Sequence, residues 1–407
     1  MKAIRCLIAI FLFVSVFSFT LPAKAQAACD LATTDCNFTT PGTYTVTQSN
    51  PSTATAHVVS ITGAQSTDQF IINFNSAINI LKPSGKPPIA VNKATATLFF
   101  SASNNVLRAS DYYAAIQVAK DASVTLSPFN TASIKVEVFG GLNAAGIGGG
   151  YDSTNAVGIP TGKITIGGTL SFTVEATPGN YASAIGSGYN YPLARKFDSS
   201  FESITINYSK VTTYSPAGSA VQTGIGGIAG PGRSITIMNS TVNATSSGPY
   251  SPAIGSTYDS VDITIDNSTV NATSPEGVAI GCPFMNETGK SFKCNITIKG
   301  AQTNLKATLQ SSVSMYTPLG SFNLMDGNLP QIPTDITIEG GRVEVYTGNM
   351  VATCSTNLRI SGGSFFAMST SFASQSLLKA GQAVFSGDAR VFFAAPYLQY
   401  GNVISGT

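Results

Sequence analysis

The chain has 407 residues, of which 10% are charged, with a net charge of +2, 39 glycines and no tryptophan. Ordinary globular domains carry about a quarter charged residues, so this composition favours short turns and stacked uncharged side chains over helices. A near-neutral chain without a basic patch argues against nucleic acid as a partner, and the missing tryptophan removes the commonest sugar-stacking ring.

Residues 1–27 read as a secretory signal peptide. Lys2 and Arg5 lead, an apolar run follows from Leu7 to Phe19, and small residues close it at Ala25 to Ala28. Cleavage after Ala25 and cleavage after Ala27 both satisfy the pattern. Lipidation at Cys29 is the competing reading, but Gln26 stands where an aliphatic residue is expected. No later segment is long and apolar enough to span a bilayer. The mature chain is therefore expected to be secreted, periplasmic or held at the cell surface, in an oxidising compartment.

Residues 28–87 read as an N-terminal cap with irregular first coils. The runs TYTV, HVVSIT, FIINF and INIL between Thr39 and Leu81 alternate as strands do, without a clear repeat. From Pro88 a repeat emerges: Ile89–Leu98 and Ile116–Leu126 match with one residue inserted. The dominant unit begins at Ile164 as ITIGGTLSFTVEA and returns at Ile204, Ile235, Ile263, Ile296, Ile336 and, weakened, at Leu358. In a strand, alternate side chains face opposite ways. The first and third residues of each copy thus form two apolar columns, while Thr165, Thr205, Thr236, Thr264, Thr297, Thr337 and finally Arg359 form one outward column.

A second element interleaves: AAGIGGGYDS from Ala144, ASAIGSGYN from Ala182, then TGIGG, PAIGSTYDS, VAIGC and TPLGSF. Its Ile147, Ile185, Ile225, Ile254, Ile280 and Leu319 suit a further wall of each coil, and the glycine after each suits a corner. The predicted fold is all-β, a right-handed parallel β-helix with three walls per coil, spanning 88–407 and continuous with the cap. Past Leu358 the register fades. Asn239 and Asn267 read as stacked turn residues in left-handed backbone.

Five cysteines remain after the signal. Cys29 and Cys36 are close enough to clip the N-terminal end, Cys282 and Cys294 bracket a longer loop, and Cys354 is left over as a buried thiol or an intermolecular bridge.

The pairing of ITI-x-GG-x-V-x-A with AGIGGG, clearest from about Ser133 to Gly341, resembles secreted bacterial repeat proteins of the pectate-lyase-like β-helix architecture. The resemblance implies a surface or secreted protein that binds carbohydrate or acts in adhesion. Fold analogy alone does not carry a function.

Two sets of residues are candidates for chemistry. The outward positions Asp262, Asp266, Asp335 and Glu339, with Lys299 among them, would stack into an acidic face. Grouped carboxylates of this kind could hold Ca²⁺ or act as acid and base on an acidic polysaccharide. The simpler reading is a structural charge ladder in which Lys299 bridges Asp266 and Glu339. The second set is Tyr151, Asp152, Tyr189, Asn190, Tyr258 and Asp259, on recurring Tyr-Asp loops after the Gly corners. Aromatic faces beside carboxylate or amide groups suit sugar recognition, and repetition would make a multivalent strip. Here the simpler reading is a turn whose Asp caps its own backbone. The only histidine, His57, precedes the regular coils, and no nucleophile triad, zinc spacing or phosphate loop occurs. A non-enzymatic secreted or surface β-helix that binds glycans or acts in adhesion through the Tyr-Asp loops is the leading expectation, with a polysaccharide lyase or hydrolase on the acidic face and a purely structural envelope component as alternatives.

Overall fold

An alternating Ile-Thr-Ile run followed at once by Gly, Asn or Ser can form only a short strand that ends in a turn. The computed structural model describes residues 28–155, 157–188, 200–214, 223–227, 233–247, 251–257, 260–283, 293–311, 317–321, 333–348, 353–370, 377–394 and 404–405. The described residues form strands and no helix, and apart from one short antiparallel hairpin the strands pair in parallel with the equivalent strand one coil away. No described helix is long and apolar enough to cross a membrane.

Three walls run the length of the stack. The first carries the ITI strands, and its register matches the repeat: Ile164 pairs with Ile204, then Ile235, Ile263, Ile296, Ile336 and Leu358 follow in one column. Every one of these side chains is at most 1% exposed, whereas the threonines between them face outward. The second wall is an eleven-stranded sheet from Asn79–Leu81 to Arg390–Ala394. The third carries the Ile-Gly pairs, with Ile147, Ile185, Ile225, Ile254, Ile280 and Leu319 in one buried column.

The stack extends further in both directions than the repeat. Gly42–Val46 pairs with Phe70–Phe74, which pairs with Ala96–Phe100 and then with Val124–Pro128, so the irregular segment already supplies coils in register. Phe70, Ala96 and Val124 fill the column that Ile164 continues. At the other end Leu378–Phe385 pairs with Thr353–Ile360, and Arg390–Ala394 with Ser364–Met368. The apparent loss of register past Leu358 is a loss of residue identity only. One interior column also carries stacked rings, with Phe74 and Phe100 centroids 4.9 Å apart.

The corners show how the polar backbone is satisfied. Asn239 and Asn267 adopt φ of 48° and 45°, the left-handed turn expected of them. Beside them Ser209, Ser240 and Ser268 form a ladder: the Ser209 amide donates to Ser240 Oγ at 3.2 Å, and the Ser240 amide to Ser268 Oγ at 3.1 Å. Disulfides join Cys29 to Cys36 and Cys282 to Cys294. Cys354 is 3% exposed and belongs to neither, so it sits within the wall and not at a surface where a second chain could reach it.

Candidate functional site

The Tyr-Asp loop after the first Gly corner is a small antiparallel hairpin in which Tyr151 pairs with Gly158 and Asp152 with Val157. Asp152 Oδ1 accepts the Thr154 and Asn155 amides at 2.9 and 3.2 Å, and its Oδ2 accepts Asn155 Nδ2 at 2.7 Å. The Asn155 side chain and then its amide hold this carboxyl below the ordinary carboxylate range. The Asp thus caps its own turn, and the Tyr151 ring rests against Tyr112, with centroids 5.3 Å apart. Tyr189, Asn190, Tyr258 and Asp259 lie outside the described residues.

On the outward face of the first wall the predicted acids do stack in register, but they do not converge. Asp262, Asn295, Asp335, Asn357 and Gln382 form one column, so each carboxylate is followed by an amide and not by a second charge. Asn295 Nδ2 donates to Asp262 Oδ1 and Asn357 Nδ2 to Asp335 Oδ1, both at 2.6 Å. Coils are about 4.8 Å apart, so an amide between two acids halves the repulsion and fills a lone pair. Lys299 reaches Asp266 only at 3.9 Å, and no Lys299–Glu339 ion pair occurs among the described residues, which corrects the expected bridge. The partner of Asp335 is Lys293, at 2.8 Å. Partial burial pushes the Asp335 carboxyl up, but the bonds from Lys293 and Asn357 outweigh it and hold the group below its usual range.

Three strands of this face close around a shallow cavity of about 350 Å³, lined on the polar side by Asp335, Thr337, Glu339, Asn357, Arg359 and Gln382, with Val384 at its edge. Two of the predicted acids are here, Asp335 and Glu339. Asp262 and Asp266 are not among its lining residues. Four strand positions separate Asp335 from Glu339, about 13 Å along the backbone, wider than the 5–9.5 Å between the carboxyls of glycoside hydrolases. Asp335 is bonded through both oxygens. Among the described residues no group of three or more His, Cys, Asp or Glu is placed to hold a metal ion. Arg359, Asn357 and Gln382 were not predicted as site residues. Arg359 already ended the outward threonine column, and continuing the Asp262 column by two more coils would have reached Asn357 and Gln382.

His57 belongs to a separate cluster near the N-terminal clip. Its Nδ1 lies 3.1 Å from Asp35 Oδ1, the Val58 amide donates to the same oxygen at 3.1 Å, and Lys86 Nζ lies 3.0 Å from Oδ2. Partial burial raises the Asp35 carboxyl, but Lys86, the Val58 amide and His57 together lower it below its ordinary value. These contacts tie the first coils together. A carboxyl depressed on folding stabilises fully above its unfolded pKa of about 4 and loses that contribution as pH falls through the lower folded value. Melting temperature should therefore hold from pH 7 to about 4 and drop below that. Asp35→Asn should flatten part of the drop, and an unchanged pH profile in that variant would refute the tie.

Comparison of the chain with protein-family models, curated proteins and solved structures finds no match.

Proposed function

We propose that the mature chain is an exported, non-enzymatic β-helix that binds glycans, and that the cavity on the first wall is the binding site. The observation that carries this reading is the kind of lining: carboxylate, amide, hydroxyl and guanidinium groups at Asp335, Glu339, Asn357, Gln382, Thr337 and Arg359, held on paired strands. Sugar hydroxyls need donors and acceptors in fixed positions, and strands hold them better than loops do. The Tyr151–Asp152 loop is a weaker candidate, because Asp152 already uses its carboxylate to cap its own turn. The two disulfides suit export. Hydrolysis or elimination at this face is the less favoured reading, because its carboxylates are spread out and Asp335 is tied to Lys293 and Asn357.

A glycan array probed with the mature chain tests this. Binding is expected without release of reducing ends or unsaturated products. Arg359→Ala should weaken binding about tenfold or more, the loss of a charged hydrogen bond, with melting temperature unchanged. Tyr151→Ala should leave the same binding intact. No binding to any glycan, or binding indifferent to Arg359, would overturn the proposal, and product release abolished by Asp335→Asn would replace it with the enzyme.

A further inference from the structure

Between the first and second walls the chain turns at 101–104, 129–133, 168–171, 208–209, 239–240 and 267–268, and none of these turns contains a charged residue. Three of them, in successive coils, hold a large apolar side chain out to solvent. Phe129 is 57% exposed, Leu170 61% and Tyr208 50%. The Phe129 ring is braced edge-on against Phe99 of the preceding coil, with centroids 6.2 Å apart.

Tyr208 departs from its own repeat. Register sets it level with Asn239 and Asn267 in the next two coils, and the three turns share one geometry, with φ of 49°, 48° and 45°. The ladder of Ser209, Ser240 and Ser268 follows each in turn. Asparagine enters left-handed backbone readily, whereas a bulky tyrosine is strained there. Strain imposed by rigid surroundings on a half-exposed side chain marks a position kept for contact with something outside the fold. Beside it, Asn207 Oδ1 is buried without a hydrogen-bond donor. Gly167, level with Asn207 one coil earlier, carries no side chain, so an unfilled acceptor sits next to a gap in its column. Charges on the strands alongside balance. Lys135 pairs with Glu137 and Glu175, Lys163 pairs with Glu202, and Lys210 offsets the remaining carboxylate.

We infer that this ridge is a stacking platform for a neutral, linear polysaccharide lying along the axis of the solenoid. Two coils separate Phe129 from Tyr208, about 10 Å, the length of one disaccharide unit in an extended β-linked chain, so both rings meet the same polymer. Apolar faces of sugar rings pack on aromatic and aliphatic side chains, sugar hydroxyls donate to acceptors such as Asn207 Oδ1, and an uncharged polymer needs no counter-charge. A lipid surface is the poorer fit, because apolar tips that dip into it are flanked by cations and acyl chains have no donor for Asn207. The inference does not rest on the cavity of the first wall, which holds polar groups through Arg359 and lies on other residues.

Cosedimentation of the mature chain with microcrystalline cellulose and with chitin tests this. The chain should partition onto at least one of them. Tyr208→Asn, which installs the residue that the next two coils carry, should weaken the partition about tenfold, the loss of one stacked ring, with melting temperature unchanged or raised. Phe129→Ser should weaken it to a similar degree, whereas Arg359→Ala should leave it intact. Partition lost in Arg359→Ala and kept in Tyr208→Asn would assign the polymer to the cavity and overturn the ridge. No partition onto either polymer, or partition indifferent to Tyr208→Asn, would overturn it too. Flotation with phosphatidylcholine vesicles that depends on Tyr208, without binding to either polymer, would make the ridge a membrane-facing edge instead.

Discussion

Gly255→Ala is expected to destabilise the fold by about 3 kcal/mol or more, read as a fall in urea midpoint with unchanged slope. Two independent faults add. Gly255 has φ of 146°, outside what an L side chain readily adopts, and an added Cβ would lie 1.9 Å from the Gly281 carbonyl oxygen of the next coil. Gly281 stands in the same relation to Gly320, at 1.8 Å. Because the blocking atom is backbone, no rotamer change relieves the contact, and the neighbouring coil must move as a unit. Ala253→Gly, two residues earlier, should cost only about 1.5 kcal/mol, the entropic penalty of glycine together with a lost buried methyl. If the two substitutions cost the same, the close approach between coils is not what holds this corner.

The second large effect separates the two sides of one strand. Ile265→Ala removes a fully buried side chain with Ile237 and Ile298 stacked on either side, and a cost of about 2–5 kcal/mol is expected. Thr264→Ala, at the adjacent outward position, should stay within about 0.5 kcal/mol. The same contrast should hold between Leu126 and Thr125, where the Ile-Thr-Ile motif is absent but the register is the same. Equal losses at inward and outward positions would mean that the columns are not the core.

The contrast between Ile265 and Leu126 shows why some coils were legible and others were not. Columns could be read directly where each coil repeats the same residue, as from Ile164 to Ile336. The early coils use Phe70, Ala96 and Val124 at that position. These are all apolar and all buried, and although the segments carrying Ala96 and Val124 match each other, the three differ too much in size for the column to be followed from Phe70 to Ile164 without the strands. Burial demands volume, not identity, so neighbouring coils can trade a large side chain in one for a small one in the next. The same drift hid Gln382 and Val384, and with them the edge of the cavity.

The charged pairs mark a second limit. Strand register put Lys299 between Asp266 and Glu339 and gave Asp335 no cation, whereas Asp335 is held by Lys293, just before the strand of the neighbouring coil. Strand positions follow a period of two and can be stacked on paper. Corner residues follow the length and bend of each turn, which differ from coil to coil.

By itself the order of residues determined the wall pattern, the inward and outward faces, both disulfides and the left-handed Asn turns, because each is set by neighbours within a few positions or by a repeat that copies itself. Only the tertiary structure decided which polar groups meet on the first wall: that Lys293 and not Lys299 holds a carboxylate tightly, at Asp335, and that Asn357, Arg359 and Gln382 line the cavity with it. Those outcomes depend on how many residues each corner takes up before the next strand begins, and local sequence does not specify that length to the residue.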